Sequence, residues 1–486
     1  MNVPTAPELT FEWAEKSWQD PLTGTRVVRL SPDRRMHFRN NYFYNNLMTF
    51  DGRYAVFMGF EDIRDGIAAG TRSLWARDMV TGEVRDLGPI PAVPESLTAY
   101  FQHHGGCCVH FAAARYSHRV NVLDPSDPDA WAIIQVDIDT GERRRIVPSE
   151  PIRYPYFASF DATERYYYCP RKENYELMQT LTPNQFQDSK NEGPGRQEML
   201  RVDLETGQVS VAHENILGDG RRFNLEHSNP HPVLPNLFLS GAHIIDLNTG
   251  EWLDHCDDGV SARWHGQGYY HWALDGKRIY TKQLASPHVQ CLSRIDLETG
   301  ENRWFACPPH TGLSVHAHVA PNEQFVVGEG YDFDVNNFPI ELQSLLQERL
   351  DEGVEPRWSA FYLTGLPVLS GTVPPTPISN GAETIWKYVL PSESVLDDEK
   401  YWQDYDQMYR SYYLDPEALD ADLLREPDKT VTTTPICKYR SMMRSPKVLG
   451  HRLEANASVT PDSRWVVFQS SSEDDWFEVW AARVPD

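Results

Sequence analysis

The sequence predicts an all-β protein, a single seven-bladed β-propeller over residues 1–486 with a mixed helical and loop insertion before its last blade. Three observations support this fold. A hairpin motif recurs five times, and a second turn motif precedes it by about two strands. The 35 Pro and 30 Gly suit many tight turns better than long helices.

The hairpin motif is a short β-branched strand, then Asp-x-x-Thr-Gly, then a second strand. We expect the aspartate to cap the turn, while the glycine supplies the positive φ that a tight hairpin requires. The flanking residues alternate between apolar and polar, which is typical of a strand with one buried face. The five copies are WARDMVTGEVRDL (75–87), IIQVDIDTGERRRI (133–146), MLRVDLETGQVSV (199–211), AHIIDLNTGEWL (242–253) and LSRIDLETGENRWF (292–305).

The second motif is a polar turn followed by an aromatic-rich strand. Together the two motifs describe a four-stranded antiparallel blade. A β-sandwich with ordinary hairpins is the alternative, but five copies of one motif favour the propeller. The copies are TFDGRYAVFMG (49–59), SFDATERYYYC (159–169), ALDGKRIYTK (273–282), VAPNEQFVVGEG (319–330) and VTPDSRWVVFQSS (459–471).

The motifs divide the chain into seven blades, with six or eight as less favoured counts. The last blade lacks one strand, and residues 25–31 can supply it, which closes the ring with both chain ends and leaves no open sheet edge. The predicted blades span 38–90, 96–148, 155–213, 225–255, 264–307, 314–370 and 455–486.

Two stretches do not fit the repeat. Residues 170–196 are polar and lie within the third blade, and residues 372–453 precede the last blade. The second stretch opens with prolines and then becomes acidic and aromatic, with helical segments. A long insertion of this kind is a lid over one face of the ring or an interface and stability element.

Composition limits the possible partners and compartments. The 45 basic and 70 acidic residues give a net charge of -25, which argues against nucleic acid and requires any site for an acidic sugar to be a local basic pocket. The start of the chain does not resemble a signal peptide, and no apolar run is long enough to span a bilayer. Seven Cys without a CxxC motif indicate neither a disulfide framework nor a zinc site, so we expect a cytoplasmic protein that does not bind membranes.

Histidines stand next to many of the blade turns. One such histidine is more often a hydrogen-bonded structural residue than a functional one. Several at corresponding places in different blades predict a shared site, because the loops at one end of each blade converge on the central channel. The histidines are His37, His103, His104, His227, His231, His265, His271, His316, His318 and His451.

Five segments resemble the oligogalacturonate lyases, which are seven-bladed propellers that cleave acidic oligosaccharides. The resemblance covers most of the chain outside the two insertions, as a series of short motifs without close identity. The segments are HFRNNYFYNNLMTFDGRYAVF (37–57), LEHSNPHP (225–232), GYYHWALDGKRIY (268–280), VHAHVAPNEQFVVGEGYD (315–332) and HRLEANASVTPDSRWVVF (451–468).

The resemblance implies a site for β-elimination. It places His227 at the position of the family's proposed catalytic base. Such an enzyme removes the proton at C5 of a uronic acid, and this requires the charge of the neighbouring carboxylate to be neutralised. We expect Arg201, Arg221 or Arg222 to neutralise it. The expected substrate contacts are Arg39, Tyr44, His231 and His316.

The resemblance also implies a divalent metal, manganese in the family, and here the chain departs from the family pattern. The family's ligand positions fall on Tyr269, His451, Glu454 and Asn456. Since tyrosine replaces the fifth-blade histidine, His271 or His265 would have to supply that ligand. This oxygen-rich set suits Mn²⁺, Mg²⁺ or Ca²⁺. The alternative is that the chain has lost the metal.

Three functions remain open from the sequence. The first is a lyase acting on uronic-acid oligosaccharides. The second is a propeller hydrolase or other carbohydrate-active enzyme, which would need paired carboxylates, and Glu454 with Asp332 is the pair that can be nominated. The third is a non-catalytic binding propeller. Fold alone cannot choose among them, and neither the sugar identity nor the oligomeric state follows from the sequence.

Overall fold

A computed structural model of the chain forms a ring of antiparallel β-sheets. The residues that the structure describes are 6–21, 23–40, 47–64, 67–97, 111–152, 159–172, 196–216, 229–240, 243–249, 252–253, 270–284, 290–307, 313–330, 384–391, 431–439, 455–471 and 476–486. Within these ranges the one helical element is a 3₁₀ turn, Glu95–Leu97, and no helix is long and apolar enough to cross a membrane.

Seven sheets form the ring, which confirms the predicted fold class and blade count. Blade 1 contains β3 (His37–Arg39), β4 (Tyr54–Arg64), β5 (Ile67–Asp78) and β6 (Val84–Pro89). Blade 2 contains β7 (Phe111–Ala113), β8 (Arg119–Asp124), β9 (Ala132–Asp137) and β10 (Arg143–Ile146). Blade 3 contains β11 (Ser159–Phe160), β12 (Tyr166–Lys172), β13 (Gln197–Asp203) and β14 (Val209–Glu214).

The remaining blades follow the same order. Blade 4 contains β15 (Asn229–Pro230), β16 (Leu237–Ser240), β17 (His243–Asp246) and β18 (Trp252–Leu253). Blade 5 contains β19 (Tyr270–Trp272), β20 (Arg278–Leu284), β21 (Gln290–Asp296) and β22 (Asn302–Ala306). Blade 6 contains β23 (Leu313–Val319), β24 (Val326–Gly330), β25 (Thr384–Val389) and β26 (Thr432–Lys438).

Blade 7 is built from both ends of the chain. Its C-terminal strands are β27 (Ser458–Val459), β28 (Trp465–Ser471) and β29 (Phe477–Arg483), and its N-terminal strands are β2 (Arg26–Arg29) and β1 (Ser17–Gln19). β2 pairs antiparallel with β29, and Val27 lies opposite Ala482 with both side chains fully buried. The N-terminal segment therefore covers the edge of β29 that the C-terminal strands leave open.

The Asp-x-x-Thr-Gly turns have the predicted geometry. In blade 1 the Asp78 carboxylate accepts hydrogen bonds from the backbone amides of Val80 and Thr81, both at 2.9 Å. The amide of Gly82 donates to the Asp78 carbonyl at 2.8 Å, and Gly82 has a φ of 80°. Because every interaction lies within five residues, the same motif gives the same hairpin in each blade that carries it.

The structure corrects the boundaries of blade 6. The sequence pattern predicts this blade over 314–370 and an insertion over 372–453, but the third and fourth strands, β25 and β26, lie inside that insertion. The pattern misses them because no Asp-x-x-Thr-Gly turn joins them. The predicted helical segment of the insertion lies outside the described residues, as do residues 173–195 of the first insertion.

Apolar side chains pack between neighbouring blades to form the core. One cluster joins Trp131 and Ile133 of blade 2 to Tyr167 and Leu200 of blade 3, all at most 1% exposed. The first strands of adjacent blades also touch: β11 contacts β15, β15 contacts β19, β19 contacts β23, and β23 contacts β27. These first strands are thus the innermost ones, and their side chains surround the central channel.

Candidate functional site

The predicted site residues fall mainly on the innermost strands or directly before them. Arg39 is on β3, His271 on β19 and His316 on β23, while His227 stands two residues before β15 and Asn456 two residues before β27. The side chain of His316 is not described. Eight of the predicted residues lie outside the described ranges altogether: Tyr44, Arg221, Arg222, His227, His265, Tyr269, His451 and Glu454. The topology thus places predicted site positions from five blades on or next to the strands that surround one channel.

Arg201 is the exception. It lies on β13, the third strand of blade 3, opposite Tyr168 in the sheet. Its guanidinium stands 4.9 Å above the Tyr166 ring, and its Nε donates a hydrogen bond to Ser210 at 3.3 Å. Arg201 is therefore engaged within its own blade, two strands from the channel, and the structure does not bring it together with the innermost-strand residues.

His231 joins blade 4 to blade 5. Its Nδ1 accepts hydrogen bonds from the amides of Val233 and Leu234, at 3.0 and 2.9 Å. The ring proton must therefore lie on Nε2, which donates to the Gly276 carbonyl at 3.1 Å. Burial lowers the pKa of His231 to about 4, so the ring is neutral near pH 7. Both ring nitrogens bond to backbone, and this arrangement makes His231 a link between two turns and leaves neither nitrogen for a substrate.

His318 and His271 lie side by side on the inner wall. The two rings are 5.5 Å apart, on the innermost strands of blades 6 and 5. The Nδ1 of His318 accepts a long hydrogen bond, 3.4 Å, from the amide of Val459 in blade 7. Burial lowers the pKa of His318 to about 4, the charge of Arg115 adds to this shift, and a hydrogen bond to the backbone of Val319 opposes it.

Asn456 is held in a strained position by two neighbouring blades. Its φ is 45°, in the left-handed region, and its side chain is buried. The buried carboxylate of Glu329 accepts hydrogen bonds from the amides of Ala455 and Ala457, at 3.0 and 2.9 Å. The side-chain amide of Asn40 donates to the Asn456 carbonyl at 2.9 Å. These contacts from blades 6 and 1 fix the backbone of residues 455–457, which includes the predicted ligand Asn456.

The described residues do not by themselves form a metal site. Of the four predicted ligands, His271 and Asn456 are described, and His451 and Glu454 are not. Across the ranges given above, no three His, Cys, Asp or Glu side chains come together in a way that could hold a metal ion. No step of the chemistry proposed below is therefore assigned to a metal.

Arg115 is a channel residue that the sequence pattern does not reveal. It belongs to the turn between β7 and β8, where blade 2 has AAARYSH in place of the second motif. His318 is one of the ten histidines near blade turns that the sequence shows, and no local sequence feature distinguishes it from His231. A positively charged residue in a first-to-second-strand turn is the signal that would have pointed to Arg115.

The whole chain can be superimposed on solved propellers of known activity. It aligns with an oligogalacturonate lyase from Vibrio parahaemolyticus over 97% of both chains, with a TM-score of 0.60 and 15% identity. It aligns with an oligogalacturonate lyase in complex with manganese over 99% of both chains, with a TM-score of 0.58 and 16% identity. The chain has the fold of these lyases. By sequence it matches no family model and no curated protein.

Proposed function

We propose that this propeller is a lyase that cleaves uronic-acid-containing oligosaccharides by β-elimination. The observation that carries the proposal is the convergence of chemically capable residues from the innermost strands on one channel, in a fold shared over its full length with two oligogalacturonate lyases. The proposed substrate is an acidic oligosaccharide, and the proposed location is the cytoplasm.

The reaction breaks two bonds, C5–H and C4–O, of the uronic acid on the reducing side of the cleavage point. A base removes the proton at C5, the electron pair forms the C4–C5 double bond, and the glycosidic oxygen leaves C4 and takes up a proton to become a hydroxyl of the other product. His227 is the proposed base, because a neutral imidazole accepts a proton near neutral pH. Arg222 is proposed to oppose the negative charge that develops on the carboxylate as the C5 proton leaves.

The described channel adds contacts that suit a sugar. His318, neutral near pH 7 and only half-buried on the innermost strand β23, is proposed to contact the sugar. Arg39, buried on β3, and the undescribed side chains of Tyr44 and His316 complete the proposed contacts. A divalent metal, Mn²⁺, Mg²⁺ or Ca²⁺, would be held by His451, Glu454 and Asn456 with His271. Bound there, it would polarise the substrate carboxylate.

Ultraviolet absorbance of the C4–C5 unsaturated product tests the proposal on a panel of uronate oligosaccharides. Elimination creates this conjugated product, whereas a hydrolase releases new reducing ends without it. His227→Ala should lower turnover by roughly 10²- to 10⁴-fold and leave thermal stability unchanged. His213→Ala, on the outermost strand β14 of blade 3, is the matched control and should keep full turnover per folded molecule. Normal turnover in His227→Ala would remove the proposed base.

A further inference from the structure

The turn between β7 and β8 makes hydrogen bonds to the turns of three other blades. The hydroxyl of Tyr116 donates to the carbonyl of Pro232 in blade 4 at 2.6 Å, which passes over blade 3. The carbonyl of Arg115 accepts a hydrogen bond of 3.0 Å from the amide of Phe50 in blade 1. The amide of Tyr116 also donates to the Glu164 carboxylate in blade 3. Blade 2 is thus tied to three other blades at this end of the channel.

From this turn the charge of Arg115 acts on histidines of two other blades. This charge lowers the pKa of His231 in blade 4 and of His318 in blade 6, in both cases adding to the larger effect of burial. Burial also lowers the pKa of Arg115 itself, although the residue keeps partial contact with solvent.

The guanidinium of Arg115 differs from the other arginines at blade turns. Arg165 bonds to Asp203 at 2.9 Å, and Arg278 bonds to Glu323 at 2.9 Å. The Arg115 guanidinium, by contrast, has no hydrogen bond or ion pair to any residue that the structure describes. It lies 5.8 Å from the centre of the Phe50 ring. The negative charge of Glu164 also acts on it, but the Oε1 atom of Glu164 accepts a hydrogen bond from the Tyr116 amide. The five N–H donors of this guanidinium are therefore available to a ligand.

We propose that Arg115 binds the carboxylate of an acidic sugar at the turn end of the channel. The planar guanidinium matches a carboxylate through two parallel hydrogen bonds. In a chain with a net charge of -25, an arginine whose guanidinium has no ion pair among the described residues, at a turn that contacts three other blades, is a local site for an anion. The inference rests on the proposed function, since it assigns a binding group for the carboxylate of that substrate class.

Calorimetric binding to the full-length protein tests the inference, with galacturonate and glucuronate as probes and galactose and glucose as their neutral counterparts. Arg115→Gln should weaken binding of at least one uronate by roughly 10- to 100-fold, the usual loss for a hydrogen bond between charged groups. Arg115→Lys keeps the charge without the planar fork and should lie between Arg115→Gln and the unmodified protein. Arg165→Gln, in the neighbouring turn and paired with Asp203, should bind uronates normally.

Equal uronate affinity in Arg115→Gln and the unmodified protein overturns the inference, and so does the absence of uronate binding to the unmodified protein. If Arg115→Gln fails to fold, a crystal structure of the unmodified protein soaked with galacturonate tests the inference instead. A sugar carboxylate about 3 Å from the guanidinium supports the inference, and a carboxylate bound elsewhere overturns it.

The two proposals fail in different ways. If uronates bind through Arg115 but no oligosaccharide gives an unsaturated product, the lyase function fails and the carboxylate site stands. If elimination proceeds with the same KM in Arg115→Gln, the lyase function stands and the carboxylate site fails.

Discussion

His231 and His318 have the same lowered pKa, about 4, yet they occupy different surroundings. In the turn after β15, both nitrogens of His231 bond to backbone groups of blades 4 and 5. On the innermost strand β23, His318 accepts a hydrogen bond from the Val459 amide, bonds to the backbone of Val319 and keeps partial contact with solvent, whereas His231 is buried. A lowered pKa therefore reports burial in both cases, and solvent contact separates a structural histidine from one that can contact a ligand.

The largest expected effect concerns the contact between His231 of blade 4 and Gly276 of blade 5. Gly276 has a φ of 74°, and a Cβ at this position would overlap the His231 ring. Gly276→Ala should lower the free energy of unfolding by roughly 3 kcal/mol or more, because strain and overlap add. Gly300→Ala, in the other hairpin of the same blade with a φ of 72° and nothing within 4 Å of the new methyl group, should cost only about 1 kcal/mol. Equal losses of unfolding free energy in denaturant titrations of the two variants would show that His231 does not pack tightly against Gly276.

Acid should destabilise the fold through the buried histidines. Burial lowers the pKa of His37, like that of His231 and His318, to about 4, from 6.5 in an unfolded chain. The unfolded state therefore takes up protons first, and stability should fall as the pH drops from about 6.5 toward 4, by on the order of 2 kcal/mol for each histidine.

Denaturation measured at several pH values gives the slope, which should be shallower in His318→Phe because one of the three groups is gone. A free energy of unfolding that stays constant between about pH 6.5 and pH 5 would contradict the prediction.

His318→Phe should also weaken substrate binding. The substitution keeps a flat ring between β19 and β27 but removes both ring nitrogens, so we expect kcat/KM on the true substrate to fall roughly 3- to 10-fold, the value of one neutral hydrogen bond. The loss should appear in KM, with thermal stability near that of the unmodified protein. A large fall in stability with unchanged KM would place His318 with His231 as a structural residue.

The smallest effect is expected at His118, a surface contact between blades 1 and 2. Its ring bonds to Asp139 at 2.6 Å and Asp51 at 2.8 Å. Burial lowers the pKa of His118, but the hydrogen bonds to the two carboxylates outweigh burial and raise it above 6.5. The ion pairs thus stabilise the fold fully below about pH 6.5 and are lost as the pH rises through the folded-state pKa.

His118→Gln should cost less than about 1 kcal/mol at pH 6, since the pairs are partly exposed, and less still at pH 9. Denaturation at the two pH values checks this. A larger loss at pH 9 than at pH 6 would reverse the assigned sign.

The sequence alone determined the features whose causes are local. The blade count and the all-β class follow from turns such as Asp78–Gly82, in which the aspartate and the glycine act within five residues. The same dependence explains the error in blade 6: where the hairpin motif is missing between β25 and β26, the pattern extends the insertion through two strands. For the site, the sequence identified innermost-strand positions such as Arg39 and His271, because their places in the repeat are regular.

Only the tertiary structure decided which groups those side chains contact. Arg115 lies 116 residues before His231 and 203 before His318 in the chain. Closure of the ring nevertheless brings its charge close enough to lower the pKa of both histidines. The strained Asn456 depends on Glu329 in blade 6 and on Asn40 in blade 1, at the other end of the chain. Turn motifs encode each hairpin separately. The contents of the channel depend on how seven blades close around one axis, and no local pattern records that closure.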